Sequence, residues 1–222
     1  MSLMLVAVLM LQDNTLTDDE KKAGWKLLFD GKTTEGWRAY KKDKITDGWQ
    51  AVDGALARVG RGGDIVTVEQ FDDFELAIDW KVADGGNSGI FFRVLETEGA
   101  SYLTGPEMQV LDNAKHGDGK NTLTSAGSCY ALYAPSKDVC KPAGEWNRVR
   151  IVAKGAKVEH WLNGEKIVEY EIGSEDWNAK VAASKFKTWK SFAKAAKGHL
   201  CLQDHGDRVE FKNIKIRAIA EK

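Results

Sequence analysis

Cysteine and proline are scarce: three of each occur in 222 residues. An odd number of thiols leaves at least one unpaired, and no C-x-x-C spacing occurs, so neither a full disulfide framework nor a thiolate zinc site is expected. Cys129 and Cys140 are spaced to bridge a long hairpin connection, a pairing the sequence leaves open. An excess of one charge is also missing. Lys and Arg total 32 against 33 Asp and Glu, a net charge of −1, so there is no basic field to hold a nucleic-acid backbone. Charge blocks and low-complexity tracts are absent, which argues against disorder. No run reaches the roughly 20 apolar residues needed to span a bilayer. The apolar stretch at residues 3–11 (LMLVAVLML) has the length of a secretion-signal core, although no cationic segment precedes it. Residues 1–22 are therefore read as an N-terminal arm or signal remnant, and 23–222 as a single domain. G-x-S-x-G, H-E-x-x-H, P-loop and EF-hand patterns do not occur.

What the chain does hold is glycine, tryptophan and alternation. Its 22 Gly, 8 Trp and 43% hydrophobic residues suit a sizeable core with many tight turns. From Trp25 onward, short runs alternate apolar and polar. In residues 74–82 (FELAIDWKV), Phe74, Leu76, Ile78, Trp80 and Val82 share one face while Glu75, Asp79 and Lys81 share the other. Asp53-Gly54 and Asn163-Gly164 are hairpin-turn signals between such runs. Thr17 and Glu20 have capping-box spacing, so a short helix is expected there. Aromatics near helical spacing predict one or two short helices within residues 175–197. The fold class is all-β, a sandwich or barrel with a minor helical insertion.

Side chains two apart on a strand share a face. With Met108 and Val110 in the core, Glu107 and Gln109 face out. With Ile90, Phe92 and Val94 in the core, Phe91 and Arg93 face out. With Leu200 and Leu202 in the core, His199, Cys201, Gln203 and His205 face out. Three strands thus offer Arg, Glu, Gln and His where a solvated face usually carries Lys, Thr and Glu. Glu107 with Arg93 also reads as an ordinary cross-strand ion pair. His160 alternates with Val158 and Leu162 as an ordinary sheet residue. The polar loop holding Asp112, His116 and Asp118 suits a site rim. Its oxygen donors are of the type Ca²⁺ takes, but no known spacing is matched, and no metal or cofactor is assigned.

Several ordered motifs carry a family resemblance: GWKLLFDGK at 24–32, WQAVDGAL at 49–56, NSGIFFR at 87–93, GPEMQVLD at 105–112, GEWN at 144–147 and GHLCLQDHG at 198–206. Together they resemble the 3-keto-disaccharide hydrolase domain family over nearly the whole chain. The resemblance implies a concanavalin A-like jelly roll of two antiparallel sheets, export to the periplasm or cell surface of bacteria, and a carbohydrate ligand. For such a ligand the residues singled out above are expected to divide into Glu107, His205 and Arg93 as catalytic and Gln109, Gln203, Asn87, Asp112 and His116 as substrate-binding.

The E-x-D-x-x-E run of some jelly-roll glucanases is here Glu107-x-Gln109-x-x-Asp112, which disfavours a two-carboxylate retaining mechanism on this strand. A 3-keto sugar allows another route, because the ketone acidifies the C2 proton. Glu107 or His205 then serves as base or acid, and Arg93 meets the carbonyl or enolate oxygen. Gln109 and Gln203 hold hydroxyls. A non-catalytic sugar-binding module and a structural assembly surface are the competing readings, since fold alone does not fix function.

Overall fold

The computed structural model describes residues 12–219. The apolar 3–11 stretch, and with it the signal reading, lies outside them. The strands are β1 (Lys26–Leu27), β2 (Trp37–Ala39), β3 (Trp49–Val52), β4 (Ala55–Arg58), β5 (Ile65–Phe71), β6 (Phe74–Val82), β7 (Asn87–Val94), β8 (Glu107–Leu111), β9 (Asn147–Lys154), β10 (Lys157–Leu162), β11 (Glu165–Glu171), β12 (Gly198–Leu202) and β13 (Val209–Ala218). All pair antiparallel. A back sheet runs β11-β10-β9-β6-β13-β4-β3, with β1 added to β13. A five-stranded front sheet runs β2-β5-β12-β7-β8. This is the expected all-β jelly-roll sandwich.

Burying the two inner faces drives the assembly. Phe74, Leu76, Ile78, Trp80 and Val82 of β6 pack toward Ile90, Phe92, Met108, Val110, Leu200 and Leu202 of the front sheet. The Phe74 and Phe92 rings meet edge to face, 6.0 Å between centroids. Both hairpin signals form turns with left-handed backbone: φ is +50° at Asp53 and Asn163, and +78° and +90° at the glycines that follow. That pairing is the type I′ requirement.

Helix α1 (Asp18–Lys22) carries the expected capping box, with Glu20 N donating to Thr17 Oγ1 at 3.2 Å and Thr17 N donating to Glu20 Oε2 at 2.9 Å. Just before it, Asn14 exchanges two hydrogen bonds with Asn213 of β13, at 2.7 and 2.9 Å, which fastens the arm to the back sheet. Helix α2 (Glu175–Ala182) starts on the Ser174 cap and leads into a 3-10 turn at Lys185–Thr188. Trp177, Phe186 and Phe192 are its buried anchors, and Phe186 stacks on Phe192 at 4.1 Å. All three cysteines are free thiols, so Cys129 and Cys140 are not bridged. No helix among the described residues is long and apolar enough to cross a membrane.

Candidate active site

The outer face of the front sheet carries a cleft of about 430 Å³. Its floor follows from strand register. Phe91 pairs with Glu107 and Gly89 with Gln109 across β7 and β8. On the other side of β7, Cys201 of β12 pairs with Phe91, and Gln203 N donates to Gly89 O at 3.0 Å. Asn87, Glu107, Gln109 and Gln203 therefore emerge on one face, as alternation predicts, and His205 joins them from the turn after β12. Gly89 is the space this arrangement needs. A Cβ built there would run into Glu107 Oε1, so the carboxyl group lies across the glycine.

Burial pushes Glu107 up to about 8. Lys185 opposes that shift, while Asp64 and Asp118 add to it. At neutral pH the group is thus mostly a carboxylic acid, able to give a proton. Gln109 and Gln203 each leave a buried amide oxygen without a partner. A buried orphan costs about 1–3 kcal/mol, and such groups in native proteins call for a ligand or water. The Asn87 amide oxygen is unpartnered too, but its neighbour resolves it. His116 Nδ1 accepts from Asp118 N at 3.1 Å, which puts the ring proton on Nε2. Nε2 lies 3.4 Å from the Asn87 amide. Turned so that Oδ1 faces that proton, Asn87 accepts from His116, and its NH₂ group becomes the free one.

His205 stands edge to face with His116, 6.3 Å between ring centroids. Asp64 lies on the same side of the cleft. Burial raises it, and the His205 charge is among the groups that oppose this. Both Asp64 oxygens are occupied, one by Ser101 Oγ and the other by Asp204 N at 2.9 Å. The rest of the lining is largely aromatic and cationic: Tyr102, Tyr130, Lys185 and Trp189. Asp64, Asp204 and these four were not recognised in the sequence. Asp64 stands just before the β-branched run of β5, and Lys185 and Trp189 lie in the segment that reads as packing helices.

Three expected site residues sit elsewhere. Arg93 has φ of +53°, a bulge in the last turn of β7, and the β12 ladder is irregular opposite it between His199 and Cys201. The bulge reverses the alternation. Val94, expected in the main core, joins Val66, Phe91 and Cys201 on the outer face. Arg93 leaves that face and donates to Gly155 O at 2.8 Å and Asp72 O at 3.1 Å, and pairs with Asp73 at 3.3 Å. It ties the β5–β6 turn to the β9–β10 turn. Asp112 is buried and spends its carboxylate on Gly85 N (2.8 Å) and Ala114 N (3.0 Å), so it braces the loop. His116 acts through Asn87 and does not line the cleft itself. His199 is committed to Thr67 O at 2.6 Å and to Gln70 at 2.9 Å. His160 is a buried sheet residue, as its alternation suggests.

The sequence matches the 3-keto-alpha-glucoside-1,2-lyase-like domain over residues 24–217. The chain belongs to that family. A curated relative, the 3-keto-disaccharide hydrolase of Bacteroides thetaiotaomicron, is 35% identical over 88% of this chain and 79% of its own length. A crystal structure from Parabacteroides distasonis, named "putative glycosyl hydrolase", superposes with a TM-score of 0.89 at 38% identity, covering 94% of this chain and all of that one. A second so-named protein from the same organism gives 0.71 at 28% identity over 88% of this chain and 99% of its own. Carbohydrate-binding module CBM66 of Bacillus subtilis, at 14% identity and a TM-score of 0.52, covering 82% of this chain and 96% of that one, shares the lyase-like domain's fold alone.

Proposed function

We propose that this chain cleaves 3-keto glycosides by elimination followed by hydration, the net result being hydrolysis. The observation that carries the reading is the convergence in one cleft of a neutral Glu107 acid, His205 and the unpartnered amides of Gln109 and Gln203. Family membership and the 3-keto-disaccharide hydrolase relative support it.

His205 takes the C2 proton, and the electron pair moves into the C2–C3 bond to form an enolate on the C3 oxygen. The NH₂ groups of Asn87, Gln109 and Gln203 donate to that oxygen, the task sequence reasoning gave to Arg93, and the unpartnered glutamine oxygens accept from sugar hydroxyls. The enolate then re-forms the ketone. Its pair closes a C1–C2 double bond and the C1–O bond breaks, the leaving oxygen taking the Glu107 proton. The Glu107 carboxylate then takes a proton from water as its hydroxyl adds to C1, and His205 returns its proton to C2, which regenerates both groups. A positioned acid or base contributes about 10²–10⁴-fold.

The test is kcat/KM on a 3-keto glycoside. Glu107→Gln and His205→Ala are each expected to lose at least about a hundredfold with the fold intact. Because Glu107 must carry its proton, wild-type kcat/KM should fall as pH rises through about 8. Full turnover by both variants, or an alkaline limb unmoved in Glu107→Gln, overturns the assignment. Sugar binding without any turnover by the wild type would make the domain a binding module.

A further inference from the structure

We propose that Tyr102 and Trp189 form a leaving-group subsite that takes a ring-shaped aglycone, a second pyranose or an aryl group, against their faces. The proposal rests on the reading of Glu107 as the acid that protonates the leaving oxygen. The two rings lie 5.4 Å apart, tilted by 44°. Tyr102 is 43% exposed, one of four large hydrophobic side chains that are so among the described residues, and it borders the cleft. Exposed aromatics at a cleft wall are the usual means of holding a ring with one apolar face.

Three features make this wall a built one. First, Trp189 is braced from behind by Phe186 (4.9 Å, edge to face) and Phe192 (6.1 Å, edge to face), both buried. Its ring is therefore held before any ligand arrives, which lowers the entropic cost of stacking. Second, Lys185 Nζ lies 4.3 Å from the Tyr130 ring centroid and 5.6 Å from that of Trp189. It has no carboxylate partner among the described residues, so it stays free to donate to an aglycone hydroxyl. Third, Glu107 lines both the main cleft and a side pocket of about 20 Å³ that it shares with Tyr102, Lys185 and Trp189. The acid thus stands at the foot of the aromatic wall. His205, His116 and Asn87 are grouped with one another. A C1 substituent protonated by Glu107 runs along the wall, while C2 and C3 face the histidine and the amides.

The experiment compares 3-keto benzyl and 3-keto methyl glycosides of one sugar, whose leaving alcohols are of nearly equal acidity. The wild type should favour benzyl in kcat/KM by about tenfold. In Trp189→Ala that ratio should collapse towards one. Tyr102→Ala, at an exposed position, should do the same without touching the aromatic neighbours that brace Trp189. The affinities of the unoxidised benzyl and methyl glycosides, measured by calorimetry, should show the same ratio and the same collapse without any chemistry. A wild-type ratio near one in both assays, or a ratio unchanged in Tyr102→Ala and Trp189→Ala, overturns the subsite. Loss of the catalytic reading would appear instead as full turnover in Glu107→Gln, and the binding ratio would still decide the subsite.

Discussion

Glu107 and Gly89 act as a pair. The carboxyl group lies where a Cβ on residue 89 would stand, and the backbone at Gly89 lies outside the left-handed region that would itself require glycine. The requirement is therefore for space. Gly89→Ala should push the acid out of its pocket and relieve the burial that raises it. The expected outcome is a loss of about tenfold or more in kcat/KM, with the alkaline limb moved to lower pH and the urea midpoint nearly unchanged. Kinetics across pH 6–9 beside a denaturation curve check it, and wild-type kinetics in Gly89→Ala would show the contact to be slack. Residue type together with alternation was enough to find Glu107, Gln109, Gln203 and His205 in the sequence. Their order of roles was not legible, because it depends on burial. Glu107 becomes an acid only through the neighbours that shut it in, and those come from Ser101–Leu103 and the 185–192 segment.

Elements decide which residues alternation places correctly. A single residue at φ +53° turns the end of β7 over, so Arg93 changes faces and Val94 replaces it. Nothing in NSGIFFR announces a bulge, since Arg is not a residue that favours left-handed backbone. The same displacement gives Arg93 its work. Its guanidinium joins the turn that crosses from the front sheet to the back sheet to a hairpin turn of the back sheet, and Gly155 N donates to Asp73 Oδ1 at 2.7 Å in the same junction. Hydrogen bonds made by a charged group each contribute about 1.5–3 kcal/mol. Arg93→Met should therefore cost about 2–3 kcal/mol in urea unfolding, while kcat/KM per folded molecule changes by less than about threefold. A catalytic Arg93 would reverse that pattern, with stability kept and kcat lost. The aromatic wall belongs to this scale too. Trp189 reads as one of the aromatics at helical spacing and does pack, yet its segment also brings it, with Lys185, to the lining of the cleft.

At the scale of the whole molecule, two buried groups set opposing pH demands on the sandwich. His160 donates from Nδ1 to Gly127 O at 3.0 Å and accepts from the Tyr170 hydroxyl at 3.2 Å, and burial pushes it down to about 4. An unfolded histidine takes its proton near 6.5. Between about 6.5 and 4 the unfolded chain thus binds a proton that the folded one refuses, and stability falls as pH falls through that window. Glu107 works the other way. The folded chain keeps its proton up to about 8, whereas the unfolded chain releases it near the ordinary glutamate value of 4.5. From 4.5 to 8 the folded state holds the extra proton, so stability falls as pH rises, by at most about 1.4 kcal/mol per unit. The acid that the chemistry needs is therefore a burden on the fold at alkaline pH. Glu107→Gln removes that burden and keeps the shape. Its unfolding free energy should exceed that of the wild type by an amount that grows between pH 5 and 8 and levels off above, as read from urea curves at each pH. A difference flat across that range would mean that Glu107 ionises in the folded protein much as it does in the unfolded chain. Its role as the proton donor would fall with it.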